Sequence, residues 1–272
     1  MFFKSPQAQW QNILTKPLKQ QTKFLNKVCK VNRRDALVIR EAFFDNLSFD
    51  LVRDIFKLVN NVVDSDGIDP SFRELIFDRL FGVLDIEHLY PEDEEDDNVI
   101  SGDGYHVYTA NYHDLDLIVD FVNSCKDIKS ICDLGSGSGR ALLYMALEMN
   151  RELNYLGLEL VNDRVEFTND IAQKFSLENL KFKTCNFLSQ PDMFEGFDAY
   201  YFYDPVGTDD VPKLISLFQD KISKGESFYI LFISGWDDIM LNALNDLKGL
   251  EKLSSTHSRK QDDRFVSFYK SK

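Results

Sequence analysis

The stretch ICDLGSGSGR at residues 131–140 decides how this chain is read. Residues 130–134 form a short apolar run that reads as a buried strand ending in Asp133-Leu134. Gly135, Gly137 and Gly139 follow at alternate positions, and a helical pattern begins at 139–150. Glycine permits positive φ and close backbone approach to a ligand. Exposed N–H groups at the start of the following helix favour an anionic group. The loop therefore suits a pyrophosphate or the carboxylate of a bound amino acid. Spacing narrows the choice. A dinucleotide fingerprint needs glycine three places after Gly137, where Arg140 stands, and the Gly-Lys-Ser/Thr ending of a P-loop is absent.

Around this loop the sequence alternates between two periods. Strand-like runs at 130–134, 154–160, 180–187, 198–204 and 227–234 are separated by helical patterns at 139–150, 163–176 and 211–223. A further helix is expected at 115–124 before the first strand, and another at 237–247. The chain closes on two strand-like runs, 250–258 and 264–270, joined by the polar turn RKQDD. The alternation implies a parallel sheet covered on both faces, and the last two strands imply an antiparallel hairpin. The expected fold class is α/β: a seven-stranded, mostly parallel sheet with a C-terminal hairpin. Such a sheet binds ligands beyond the carboxyl ends of its strands.

Two strand ends support a nucleoside there. Glu159 closes the run YLGLEL, 24 residues after Gly135, where a carboxylate can accept hydrogen bonds from both hydroxyls of a ribose. A buried acid without a task is costly. The third run ends in Asn186-Phe187-Leu188. The Asn186 amide can pair with an adenine edge while Phe187 flanks the ring, although Phe187 also reads as plain core.

The segments Asp133-Leu134-Gly135-Ser136-Gly137-Ser138-Gly139, Gly157-Leu158-Glu159 and Asn186-Phe187-Leu188 together resemble class I S-adenosylmethionine-dependent methyltransferases. More narrowly, they resemble the histone lysine methyltransferases of the disruptor-of-telomeric-silencing type and their small archaeal protein-lysine relatives. VYTANYHDLDLIV (107–119) is similar to that family's Tyr-x-x-Thr segment, with Tyr108 matching and Asn111 at the threonine position. Ser234-Gly235-Trp236 resembles a feature of the archaeal relatives. The resemblance covers about 105–270 and implies a Rossmann-like methyltransferase domain that takes S-adenosyl-L-methionine. It implies that Asp133, Gly135, Ser136, Gly137, Gly139, Glu159, Asn186 and Phe187 bind the cofactor, and that the methyl acceptor is a protein lysine. Methylation of a small molecule or RNA, or a catalytically silent cofactor-binding module, are the alternatives.

The fourth strand departs from that family. AYYFYDPVG (199–207) places Asp204-Pro205-Val206-Gly207 between the uncharged loop of the lysine enzymes and the Asn/Asp-Pro-Pro-aromatic motif of other amino-group methyltransferases. Asp204 could orient an acceptor amine or take its proton; equally, Asp-Pro commonly ends a strand. Tyr105, Tyr108, Tyr112, Tyr201 and Tyr203 could wall an acceptor channel, with cation–π contact to an ammonium. Strand alternation forbids residues 200–203 from all facing it. Tyr108 and Asp204 are the expected catalytic pair.

The N-terminal part reads differently. Residues 7–31, 34–46, 49–63 and 71–85 show helical apolar spacing, with Leu51, Ile55, Leu58, Val59 and Val62 on one stripe. DSDGIDP (64–70) superficially resembles a calcium loop, but Gly67 at the sixth position would put the first ligand on Val62, so it reads as a turn. PEDEEDDN (91–98) reads as a solvated linker or an attractor of a lysine-rich substrate. The expected organisation is a helical region with linker at 1–98 and the cofactor domain at 99–272.

Net charge is −14, unevenly spread. Residues 1–34 hold eight basic residues (Lys4, Lys16, Lys19, Lys23, Lys27, Lys30, Arg33, Arg34) and no acid. The remainder therefore sets 23 basic against 45 acidic residues, a balance of −22. An acidic body disfavours nucleic acid and favours a basic protein or a small molecule. The basic arm suits phosphates or lipid head groups, or simply a solvated helix. Cys29, Cys125, Cys132 and Cys185 lack metal or disulfide spacing, and no run spans a membrane or reads as a signal, so a cytoplasmic protein with reduced thiols is expected.

Overall fold

The computed structural model describes residues 5–31, 37–39, 47–66, 71–82, 109–235, 238–258 and 264–272. Tyr105, Tyr108, Trp236, the acidic run at 91–98 and the turn at 259–263 lie outside these. The chain divides into two compact units, Met1–Asp85 with Lys174–Ser176, and Ile86–Gln173 with Leu177–Lys272.

In the first unit, α1 (Pro6–Leu14) starts with Pro6 inside the first turn and the Ser5 hydroxyl accepting the Ala8 N–H. The sequence pattern suggests one helix over 7–31, but the chain breaks it at Pro17, whose ring cannot continue α1. A second helix, α2 (Leu18–Val28), follows. It gives way to β1 (Cys29–Val31), paired antiparallel with β2 (Leu37–Ile39). The helix expected at 34–46 is therefore wrong at 37–39, where Leu-Val-Ile, with two β-branched residues, suits an extended backbone better. The long α3 (Phe49–Asp66) buries the whole expected stripe, with Leu51, Ile55, Leu58, Val59 and Val62 at most 4% exposed. The next helix, α4 (Ser71–Phe81), lays Phe77 flat on Phe56 with ring centroids 3.7 Å apart.

The second unit is the α/β sheet. Its strands are β3 (Ser130–Leu134), β4 (Asn154–Glu159), β5 (Leu180–Thr184), β6 (Ala199–Tyr203), β7 (Tyr229–Ile233), β8 (Leu250–His257) and β9 (Phe265–Ser271). They lie in the order β5-β4-β3-β6-β7-β9-β8. The first five are parallel, and β9 runs antiparallel to both β7 and β8. The helices are α5 (Tyr112–Ser124), α6 (Arg140–Glu148), α7 (Asn162–Lys174), α8 (Val211–Ser223) and α9 (Ile239–Asp246). After β5 the chain crosses β3 and β4 to lay β6 on the far side of β3, so the topological switch falls beside β3 and its glycine loop. Alternation along β6 sends Tyr200 and Phe202 into an aromatic core with Phe194, Phe218, Phe228 and Phe232. Tyr201 and Tyr203 take the opposite face. None of the described helices is long and apolar enough to cross a membrane.

Arg151 locks the start of this sheet. Its Nη1 donates to the Ile128 carbonyl (2.7 Å), and its Nη2 donates to those of Val122 (2.6 Å) and Cys125 (2.7 Å) at the end of α5. The Val122 and Cys125 carbonyls each accept one backbone N–H, from Cys125 and Ile128, and the guanidinium fork adds a second donor to each. Arg151→Met should cost about 2–3 kcal/mol in urea unfolding by removing these charged hydrogen bonds together. A loss below about 0.5 kcal/mol would contradict this role.

Candidate active site

The glycine loop folds back over the end of β4. Gly135, Gly137 and Gly139 all have positive φ (78, 54 and 71°), as their spacing requires. The Gly135 and Ser136 N–H groups both donate to the Leu158 carbonyl at 2.9 Å, and Gly139 N–H donates to the Ser136 carbonyl at 2.8 Å. The Gly137 N–H donates to Glu159 Oε2 at 2.8 Å. These four loop N–H groups thus spend their hydrogen bonds on the loop and β4. Close packing explains a further glycine. A Cβ on Gly157 would lie 2.3 Å from the Phe182 ring and 2.7 Å from Ser136 Oγ.

Two carboxylates meet at this end of the sheet. Glu159, 6% exposed, accepts at Oε1 from Val161 N–H (3.1 Å) and from Arg164 Nη1 (3.3 Å). Asp133 closes the neighbouring strand at 2% exposure, and among the described residues no hydrogen bond reaches its carboxylate. Burial, and then the charge of Glu159, push the Asp133 carboxyl well above the usual carboxylate range. Ser136 Oγ is likewise buried without a partner.

On the other side of β3, the Asp204 loop closes in. Asp204 ends β6 at φ +43°, a left-handed conformation that is strained for a non-glycine residue. Pro205 lies against Gly135, 3.4 Å from where a Cβ would stand. At the end of β7, a Cβ on buried Gly235 would fall 1.4 Å from Asp204 Oδ2. The ends of β3, β6 and β7 thus converge on Gly135, Asp204 and Gly235.

Asn186 lies two residues beyond β5, since that strand ends at Thr184 rather than at 187. Asn186 Oδ1 accepts the Leu188 N–H within its own turn. Phe187 is 5% exposed in the core beside Leu134, Leu158 and Cys185.

Sequence reasoning missed a polar cluster on the Tyr201 face. Asn111 caps α5 by accepting the Asp114 N–H, and its Nδ2 donates to Asp114 Oδ2 at 2.7 Å. Ser258, just after β8, donates to the same Oδ2 at 2.9 Å. The Arg264 guanidinium lies over the Tyr203 ring, 5.1 Å from its centroid. Burial pushes the Tyr203 hydroxyl up to about 12, partly opposed by Arg264. The Asn-x-x-Asp spacing at 111–114 is a legible helix start, but nothing in it points to Ser258 or Arg264.

A methyltransferase-domain family model matches residues 126–225. This part of the chain is a class I S-adenosylmethionine-dependent methyltransferase domain. No curated protein matches the chain. Among solved structures, TrmN from Thermus thermophilus is 15% identical with a TM-score of 0.45, over 57% of this chain and 47% of that one. This chain thus spans about half the length of that protein. An rRNA methylase from Streptococcus thermophilus is 11% identical (TM-score 0.46; 61% of this chain, 98% of that one). An O-methyltransferase from Thermotoga maritima is 13% identical (0.44; 61% and 67%). The methyltransferase domain uses S-adenosylmethionine as its methyl donor, and its residues fit that cofactor. The buried, unpartnered Asp133 carboxylate and Ser136 Oγ await polar or cationic partners beside backbone left bare by three glycines.

The Asp204–Gly235 contact gives a direct test. In Gly235→Ala the new methyl must displace the Asp204 carboxylate. Methyl transfer should fall roughly 100-fold, with cofactor affinity unchanged in a calorimetric titration. Unaltered turnover would mean that the position of Asp204 is immaterial.

Proposed function

We propose that the enzyme methylates the side-chain amine of a protein lysine. The observation that carries this reading is Asp204, held in a strained left-handed conformation at the end of β6 and fitted against Gly235. Backbone strain of this kind persists where the surroundings over-determine it, commonly at a functional site. A carboxylate there suits an incoming amine, and the net −22 carried beyond residue 34 favours a cationic macromolecule. The narrower likeness to lysine methyltransferases of the disruptor-of-telomeric-silencing type supports the same class of acceptor. Tyr108 is proposed as its partner from that likeness alone.

The cofactor, when bound, supplies a methyl group already activated on a sulfonium, so the protein contributes alignment and exclusion of water. In this reading the backbone of Gly135, Ser136, Gly137 and Gly139 borders the amino-acid portion, and Asp133 pairs with its cationic end. Glu159 accepts from the ribose hydroxyls. A carboxylate offers about four lone-pair sites. Gly137, Val161 and Arg164 occupy three, so one position on Oε2 remains unless the Gly137 N–H yields. Asn186 meets the adenine edge, and Phe187 backs the ring from the core. Lysine binds as the ammonium and must lose a proton before it attacks. Asp204 orients that amine or receives its proton.

RNA is the second reading. It is favoured by exposed Lys19, Lys23 and Lys27, spaced four apart along α2. Incubating lysate with the enzyme and methyl-labelled cofactor, then treating it with protease or nuclease, separates the two. Label lost to protease supports the lysine reading; label lost only to nuclease overturns it.

Asp133 gives a pH test. Its folded-state pKa is raised, so its contribution to stability is present at low pH and is lost as pH rises from the ordinary carboxylate range through the elevated value. Asp133→Asn removes that loss. The cofactor-free variant should melt above the wild type at neutral pH but not in strong acid, while its cofactor affinity falls about tenfold or more. Weaker binding without the stability gain would refute the account of Asp133 as a destabilised, cofactor-seeking acid.

A further inference from the structure

We infer that Asp114 is a second acid of the acceptor site, and that its Oδ1 accepts a hydrogen bond from the acceptor's cationic amine. This rests on the lysine reading above and adds the group that recognises the amine. Asp114 is 1% exposed. Its two oxygens differ sharply. Oδ2 accepts from Asn111 Nδ2 and Ser258 Oγ, whereas Oδ1 is buried with no hydrogen-bond partner.

A carboxylate that served only to tie α5 to the β8–β9 hairpin would be complete at Oδ2. The unpaired Oδ1 is an added cost, because a buried acceptor left unsatisfied loses its hydration without return. Arg264 does not remove that cost. Burial holds the Asp114 carboxyl above the usual carboxylate range, only partly opposed by Ser258, Asn111 and Arg264, and the Arg264 guanidinium lies over Tyr203 while Oδ1 has no hydrogen-bond partner.

The surroundings place this oxygen beside the proposed chemistry. Asp133 and Tyr201 are register partners on adjacent strands. The hydroxyl of Tyr201 feels the charges of both Asp133 and Asp114, and that of Tyr203 feels both Asp204 and Asp114. Two aromatic rings on one face of β6 thus stand among the acids Asp133, Asp204 and Asp114 and the guanidiniums of Arg140 and Arg264, with Arg264 already over the Tyr203 ring. What these groups leave without a donor is Asp114 Oδ1. A primary ammonium brings three donors, one of which can meet that oxygen, and a positive charge for the acids.

The experiment uses the full chain, methyl-labelled S-adenosylmethionine and poly-L-lysine as acceptor. Asp114→Asn should raise KM for poly-L-lysine roughly 10- to 100-fold, as expected for losing a charged hydrogen bond. Its cofactor affinity, measured by calorimetry, should stay within about twofold. Ser258→Ala removes the structural bond while keeping the carboxylate. It should lower the melting temperature about as much, yet leave KM within about threefold of wild type. Unchanged KM in Asp114→Asn, or an equal rise in both variants, would reduce Asp114 to a structural tie and overturn the inference. A wild-type enzyme that binds cofactor but methylates no poly-L-lysine would instead overturn the lysine reading on which it stands.

Discussion

Two buried carboxylates at the ends of adjacent parallel strands set the terms for the rest of this domain. Asp133 and Glu159 close β3 and β4, each at most 6% exposed, and burial together with the Glu159 charge holds the Asp133 carboxyl well above the usual carboxylate range. Glu159 is stabilised by three donors, of which Arg164 is a buried cation and Gly137 belongs to the glycine loop itself. Asp133 receives no such help among the described residues. The loop's shape follows from this asymmetry. It must bend back to bring the Gly137 N–H onto Glu159, which requires the positive φ values that only glycine adopts cheaply. Gly157 must lack a side chain so that Ser136 and Phe182 can close over the strand. What is left is a buried acid that holds its proton beside a paired carboxylate and bare backbone, a setting that a cationic ligand would relieve.

The opposite wall obeys a different constraint. Burial of Tyr200 and Phe202 in the aromatic core fixes β6, and alternation then commits Tyr201 and Tyr203 to the face shared with Asp133 and Asp114. The strand has no freedom to offer other residues there. Asp204, the next residue, is turned sharply back at φ +43° over Gly235. Core packing on one side of the sheet therefore fixes which groups stand on the other.

Much of this was legible in the chain. The alternating apolar runs specify the mostly parallel sheet with its terminal hairpin, and the three spaced glycines specify the loop after β3. The helix at Val211–Ser223 begins and ends where its apolar spacing puts it. Local signals failed where tertiary partners decide. Residues 37–39 carry helical spacing yet pair as a strand with residues 29–31. Asn186 looks like a strand end but sits in a turn stabilised by its own side chain. The link between Asp114 and Ser258 spans 144 residues and has no local signature. Gly235 stands out in the sequence only through the Ser234-Gly235-Trp236 resemblance, and the need for a glycine there shows in the carboxylate 1.4 Å from its absent Cβ.

The central claim is that Asp133 is a proton-retaining acid awaiting a cation. Calorimetric titration of the wild-type protein with S-adenosylmethionine, in mildly acidic buffers of different ionisation enthalpy, tests it most directly. Binding of the cation should draw Asp133 back toward its ionised form, so protons should be released and the measured heat should change with the buffer. Binding without proton release, or no binding at all, would contradict the account.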